Sequence, residues 1–144
     1  MRDPKFTKGP WHKNKEPIKK WGLEIVSERR LLHVTIQSAD SEPCSREELE
    51  ATADLITASP NLYAVCEAQE RFENLVLLEG AAFWERLRAN FPDIDAQMGP
   101  VQSLWGERSD MAIATATRLV RDHIRVLRRA ALVKALGESE ADHA

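Results

Sequence analysis

The sequence predicts an α+β protein: a short N-terminal antiparallel hairpin or three-stranded sheet packed on a mainly helical C-terminal part. Three observations lead there. Residues 21–37, WGLEIVSERRLLHVTIQ, alternate apolar and polar positions as half-buried strands do. From Ser45 onward the apolar positions recur with helical period. Residues 110–136 then form one long amphipathic run that ends just before Gly137.

Taken in order, residues 1–20 hold Pro4, Pro10, Pro17 and six lysines without periodicity, and read as a basic, extended arm that Trp11 and Trp21 can pin. Residues 21–137 form the expected single α+β domain, and 138–144 an acidic tail. In the hairpin, Leu23 and Ile25 share a face on one strand, as do Leu32, Val34 and Ile36 on the next. Ser27 to Arg30 are the expected turn. Two strands alone are marginal, so the Trp11 region is the candidate third strand.

Ser45 and Glu48 have the spacing of a capping box, with Glu47 and Glu48 in a first turn that favours negative charge. Leu49, Ala53 and Ile56 follow on one face. Ser59-Pro60 reads as the start of a second helix carrying Leu62, Val65, Cys66, Gln69, Phe72, Val76 and Leu77. Gly80 ends or kinks it. A short segment through Phe83, Leu87 and Phe91 stops at Pro92. Residues 92–107, with Pro92, Gly99, Pro100 and Gly106, read as a long packed connection.

The last helix is capped by Ser109 or Asp110. At 100° per residue, Ile113, Ala116, Val120, Ile124, Leu127 and Ala131 fall within about 60° of one another. Opposite them, Arg118, Arg121, Arg125, Arg128 and Arg129 occupy an arc of about 100°, with Leu132 and Leu136 inside it near the helix end. These arginines form a solvated face, pair internally with the acidic middle of the chain, or meet an anionic or acidic partner. Residues 1–20 and 108–136 are each net positive by five, and 21–107 net negative by ten, within an overall charge of −3.

Composition narrows the chemistry. The chain has 144 residues, 2 cysteines and 4 histidines, enough for a core without disulfides or metal. No apolar run approaches the roughly 18 residues of a membrane span, and no signal-peptide pattern follows the basic start. No Gly-rich phosphate loop occurs, and no His or Cys pair has ligand spacing. Cys66 reads as core packing. Cys44 precedes a helix start but has no base beside it in sequence. Neither catalytic residues nor a cofactor or metal site is expected, and the protein is read as a non-enzyme. The aromatic residues are more informative: Trp105 is either a clamp on its connection or a partner anchor, and Trp11 either docks the arm or contacts a partner.

The stretch Ala53-Asp54-Leu55-Ile56-Thr57-Ala58-Ser59-Pro60-Asn61-Leu62-Tyr63-Ala64-Val65 resembles a segment of small, mostly uncharacterised proteins of tailed bacteriophages and prophages, with the pattern Asn-Ala-x-Leu-Ile-Ala-Ala-Ala-Pro-x-Leu-Leu-x-Ala. Ala53, Leu55, Ile56, Ala58, Pro60 and Leu62 match, whereas Thr52, Ser59 and Tyr63 depart from it. The resemblance covers about residues 10–70. It implies a phage accessory protein in the cytoplasm of a bacterial host, acting by protein–protein contact on a host assembly, with inhibition of a defence such as CRISPR–Cas as one form. The partner-binding residues are then expected among Arg118, Arg121, Arg125, Arg128, Arg129, Trp11 and Trp105. The alternatives are a small nucleic-acid-binding regulator using the arm and the arginine arc, and a structural or assembly component that self-associates into homo-oligomers.

Overall fold

The computed structural model describes residues 10–13, 22–27, 33–37, 45–105 and 110–137. Alternation in the N-terminal part yields three strands, β1 (Trp11–Lys13), β2 (Gly22–Ser27) and β3 (His33–Gln37). They form one antiparallel sheet in the order β1-β2-β3. Trp11 pairs with Ser27 and Lys13 with Ile25, while Ile25 also faces Val34. Because side chains alternate along each strand, this register puts Trp11, Lys13, Ile25, Val34 and Ile36 on one face. The Trp11 region is thus the third strand. Of the turn expected at Ser27 to Arg30, Ser27 instead ends β2, and residues 28–30, the remainder of the arm read as basic, Cys44 and the expected acidic tail lie outside the described residues.

Helix α1 (Arg46–Leu75) begins at the capping box expected of its sequence. The Ser45 N–H donates to Glu48 Oε2 at 2.8 Å, and the Glu48 N–H donates back to Ser45 Oγ at 3.2 Å. Leu49 and Ala53 are buried against Ile25, with Trp11, Val34, Ile36 and Ile56 packed around them. Lys13, on the same sheet face as Ile25, reaches Glu50 Oε2 at 2.9 Å and Asp54 Oδ1 at 2.5 Å. Apolar packing and an ion-pair cluster therefore tie the sheet to the first turns of α1.

Two expectations about α1 are corrected. Pro60 does not open a second helix; it sits inside one continuous helix. Its missing N–H leaves the Ile56 carbonyl without its intrahelical donor, a local cost of about 3 kcal/mol relative to Ala. Burial of Ala53, Thr57, Ala58, Ala68 and Leu75 along the same helix outweighs that cost. Cys66, read as core, is exposed. Val76 and Leu77, assigned to its apolar face, lie beyond the helix end and are also exposed, while Leu75 is fully buried.

Gly80 opens helix α2 (Gly80–Asn90) with a φ of 55°, a conformation that costs glycine little. Phe83, Trp84 and Leu87 are the buried residues of α2, and the two rings meet edge to face at 5.3 Å. Residues 92–105 are not a connection but helix α3 (Pro92–Trp105). Pro92 is its first residue, where a fixed φ suits helix entry and no donor is lost. Ile94 and Met98 are buried and Val101 half-buried, at the spacing of a single helical face.

Helix α4 (Asp110–Ala135) runs as its amphipathic pattern predicts. Ala116, Val120, Ile124 and Ala131 are buried, and Ile113 and Leu127 pack beside the core. Gly137, at φ 71°, closes the helix and donates its N–H to the Lys134 carbonyl at 3.2 Å. Asp110, one candidate cap, is instead the first residue of the helix, and Ser109, the other, lies outside the described residues.

The chain divides into two compact units, residues 1–64 with 129–144, and residues 65–128. The first contains the sheet and its small apolar cluster. The second holds the larger core of α2, α3 and the adjoining parts of α1 and α4, centred on Phe83, Leu87, Met98 and Val120.

Candidate functional site: an arginine-lined groove

Helix α4 carries Arg118, Arg121, Arg125 and Arg128 on the side away from Ala116 and Val120, and all four are exposed. Their spacing of three and four residues stacks them along one face. In the unit formed by residues 65–128, three of them border an open cavity of about 290 Å³ lined by Gln69, Phe72, Arg121, Ile124, Arg125 and Arg128. Ile124, 2% exposed, and the half-buried Phe72 supply its apolar surface. The guanidinium of Arg121 lies over the Phe72 ring, 5.9 Å from its centre, and this contact steadies one cation at the groove.

The charge balance of this face is uneven. Arg125 meets Asp122 at 3.3 Å, but both side chains are more than half exposed, so water and salt weaken the pair. Among the described residues, Arg118, Arg121 and Arg128 make no ion pair with a carboxylate. Gln69 on α1 is held by its amide hydrogen bond to Glu73 Oε1 at 3.1 Å. The groove therefore presents three guanidinium groups beside an aromatic ring. Such an arrangement binds planar oxyanions through paired N–H donors.

The other residues singled out in the sequence fall elsewhere. Arg129 is exposed on α4 and belongs to the unit that contains the sheet. Trp11 is half-buried in β1 and packs on the Ile25, Leu49 and Ala53 cluster. Trp105 is the last residue of α3, and its side chain lies outside the described ones. Leu132 on α4 and Leu136 just beyond its end are exposed apolar residues, 49% and 68% accessible. Asp93 and Asp95 lie in the first turn of α3, where Asp95 Oδ2 accepts from Arg88 Nε at 3.3 Å. In the sequence, Phe72, Gln69 and Ile124 carry only the signal of helix-face residues. Their meeting with the arginines depends on how α1 and α4 pack, which no local pattern encodes.

Among the described residues, no three His, Cys, Asp or Glu side chains converge as a metal site would require. No helix among them is long and apolar enough to cross a membrane. The chain matches no curated protein and no solved structure. A family model described as Salmonella phage P22 protein Y8K6 matches residues 1–139, and the chain belongs to that phage protein family.

Proposed function

We propose that this phage accessory protein acts by binding rather than by catalysis, and that its target is a protein assembly of the bacterial host, met in the host cytoplasm. The observation that carries this reading is the face of α4, where Arg118, Arg121 and Arg128 stand exposed without a carboxylate partner among the described residues. Unneutralised cations on a rigid helix favour association with an anionic surface and steer its approach. Inhibition of a defence system such as CRISPR–Cas is the specific form we put forward, on the strength of phage origin and of a site suited to contact.

The test is affinity capture from a bacterial lysate, with and without nuclease, followed by mass spectrometry. A nuclease-resistant complex with one host assembly, lost in Arg121→Glu/Arg125→Glu while the variant keeps its melting temperature, is the expected result. Loss of every captured protein after nuclease treatment would replace this reading with nucleic-acid binding. Expression in cells with an active CRISPR–Cas system should restore plating of a targeted phage. Unchanged restriction would remove the defence-inhibition form.

A further inference from the structure

The groove has an apolar floor as well as a cationic rim, and the two together define what fits. Arg121, Arg125 and Arg128 span about 10 Å of helix, too long for one carboxylate to engage all three. In an extended peptide, residues i and i+4 point to the same side about 13 Å apart, with i+2 between them. Flexible arginine stems cover the difference. Acidic residues at i and i+4 then meet the outer arginines, and an apolar residue at i+2 meets Phe72 and Ile124.

A long polyanion fits less well. Residues 65–128 carry ten Asp and Glu against eight Lys and Arg, so the positive charge is local to the groove within a net-negative unit. Asp122 lies on the arginine face itself, and Glu70 and Glu73 are exposed on the α1 segment that supplies Gln69 and Phe72. A continuous phosphate backbone would run into these carboxylates, whereas a short acidic segment needs only the groove.

We infer that the groove between Phe72 and Arg121, Arg125 and Arg128 is the seat of an extended acidic segment of the partner protein, of the form Glu/Asp-x-apolar-x-Glu/Asp. This rests on the binding function proposed above and specifies the chemistry its partner must present. Arg121, already stacked on Phe72, is the preorganised member of the set.

The probe is a labelled peptide Gly-Glu-Ser-Leu-Ser-Glu-Gly, titrated into the full chain at low salt and followed by fluorescence anisotropy and by the arginine Nε–H signals in NMR spectra. Binding should weaken about tenfold when its leucine becomes glycine or its glutamates become glutamine, as for losing one buried apolar side chain or charge-assisted hydrogen bonds. Arg121→Glu/Arg125→Glu should abolish it, and Phe72→Ala should weaken it with the helical circular dichroism intact. Absence of binding, equal binding by the double arginine variant, or tighter binding of a twelve-residue oligothymidine each overturns the inference. Peptide binding without lysate capture would remove the host-assembly reading alone. Lysate capture without peptide binding would remove the groove assignment alone.

Discussion

Gly80 and Gly137 share a left-handed backbone, but their surroundings differ. A Cβ at Gly80 would meet nothing within 4 Å, whereas one at Gly137 would run into the Asp54 carboxylate. Gly80→Ala should therefore cost only the conformational penalty, about 1 kcal/mol. Gly137→Ala adds displacement of a carboxylate that Lys13 holds, and thermal melting should show the larger loss, with equal losses counting against this account. The same Lys13 cluster sets a pH dependence. The Glu50 carboxyl is held below its ordinary value of 4.5 by the Lys13 hydrogen bond, against the opposing effect of burial, with further help from the Lys13 and Arg46 charges. Burial alone would lower the Lys13 pKa, but hydrogen bonds and charge from Asp54 and Glu50 outweigh it and raise it above 10.5. A lowered carboxyl stabilises fully above its unfolded value, and that contribution fades as pH falls through the folded one. A raised ammonium stabilises below 10.5 and fades as pH climbs through its folded value. Stability should thus be flat near neutrality and decline below pH 4.5 and above 10.5 from this cluster. Lys13→Met should shrink both declines in denaturant titrations across pH. Its neutral-pH cost should be about 1 kcal/mol, because Lys13 and Glu50 are roughly a third exposed although Asp54 is 15% exposed.

At the scale of elements, Pro60 separates what helix chemistry prefers from what packing imposes. Thr57 and Ser59 hydroxyls donate to the Ala53 and Leu55 carbonyls at 2.6 and 3.2 Å, local bonds that tend to bend a helix, and Pro60 follows them. Pro60→Ala returns a donor to the Ile56 carbonyl and relieves the ring clash, offset in part by a looser unfolded chain. The net expectation is a gain of about 1–2 kcal/mol, read as a higher melting temperature. A lower melting temperature would mean that the packing around residue 60 depends on the proline. The capping box of Ser45 and Glu48, the closing Gly137 and the apolar face of α4 were legible because each is a local rule that the tertiary structure leaves in force. Helix α3 is hidden in the sequence because Pro92, Gly99 and Pro100 resemble breakers, although Pro92 at a first position starts a helix and Ile94, Met98 and Val101 carry its period. The arginine arc was likewise visible from spacing alone. Its groove was not, because Phe72 and Gln69 enter it from α1, about fifty residues earlier in the sequence than Arg121.

For the whole molecule, the decisive fact is that two helices are shared between two compact units. Helix α1 passes from one unit to the other after Ala64, and α4 does so after Arg128. The portion of α4 from 129 to 135 is far shorter than the roughly 12–15 residues an isolated helix needs to persist in water. Within its own unit it is held by the buried Ala131 and Val133 and by Lys134 Nζ, which donates to Asn61 Oδ1 at 3.1 Å. The sheet, in turn, is a small three-stranded layer whose buried partners Leu49 and Ala53 lie on α1. Melting the larger core leaves those contacts in place, so the continuous backbone of the two helices is the route by which its loss would reach the sheet. Leu87→Ala tests this, since Leu87 is fully buried and its truncation should cost about 2–5 kcal/mol. Amide hydrogen exchange gives the readout. If unfolding is cooperative, β2 amides lose as much protection as those of α2. Loss confined to α2, α3 and their neighbours would mean that the sheet-bearing unit stands alone. A shared loss also bears on binding, because a groove built between α1 and α4 keeps its arginine spacing only as long as both helices hold their register.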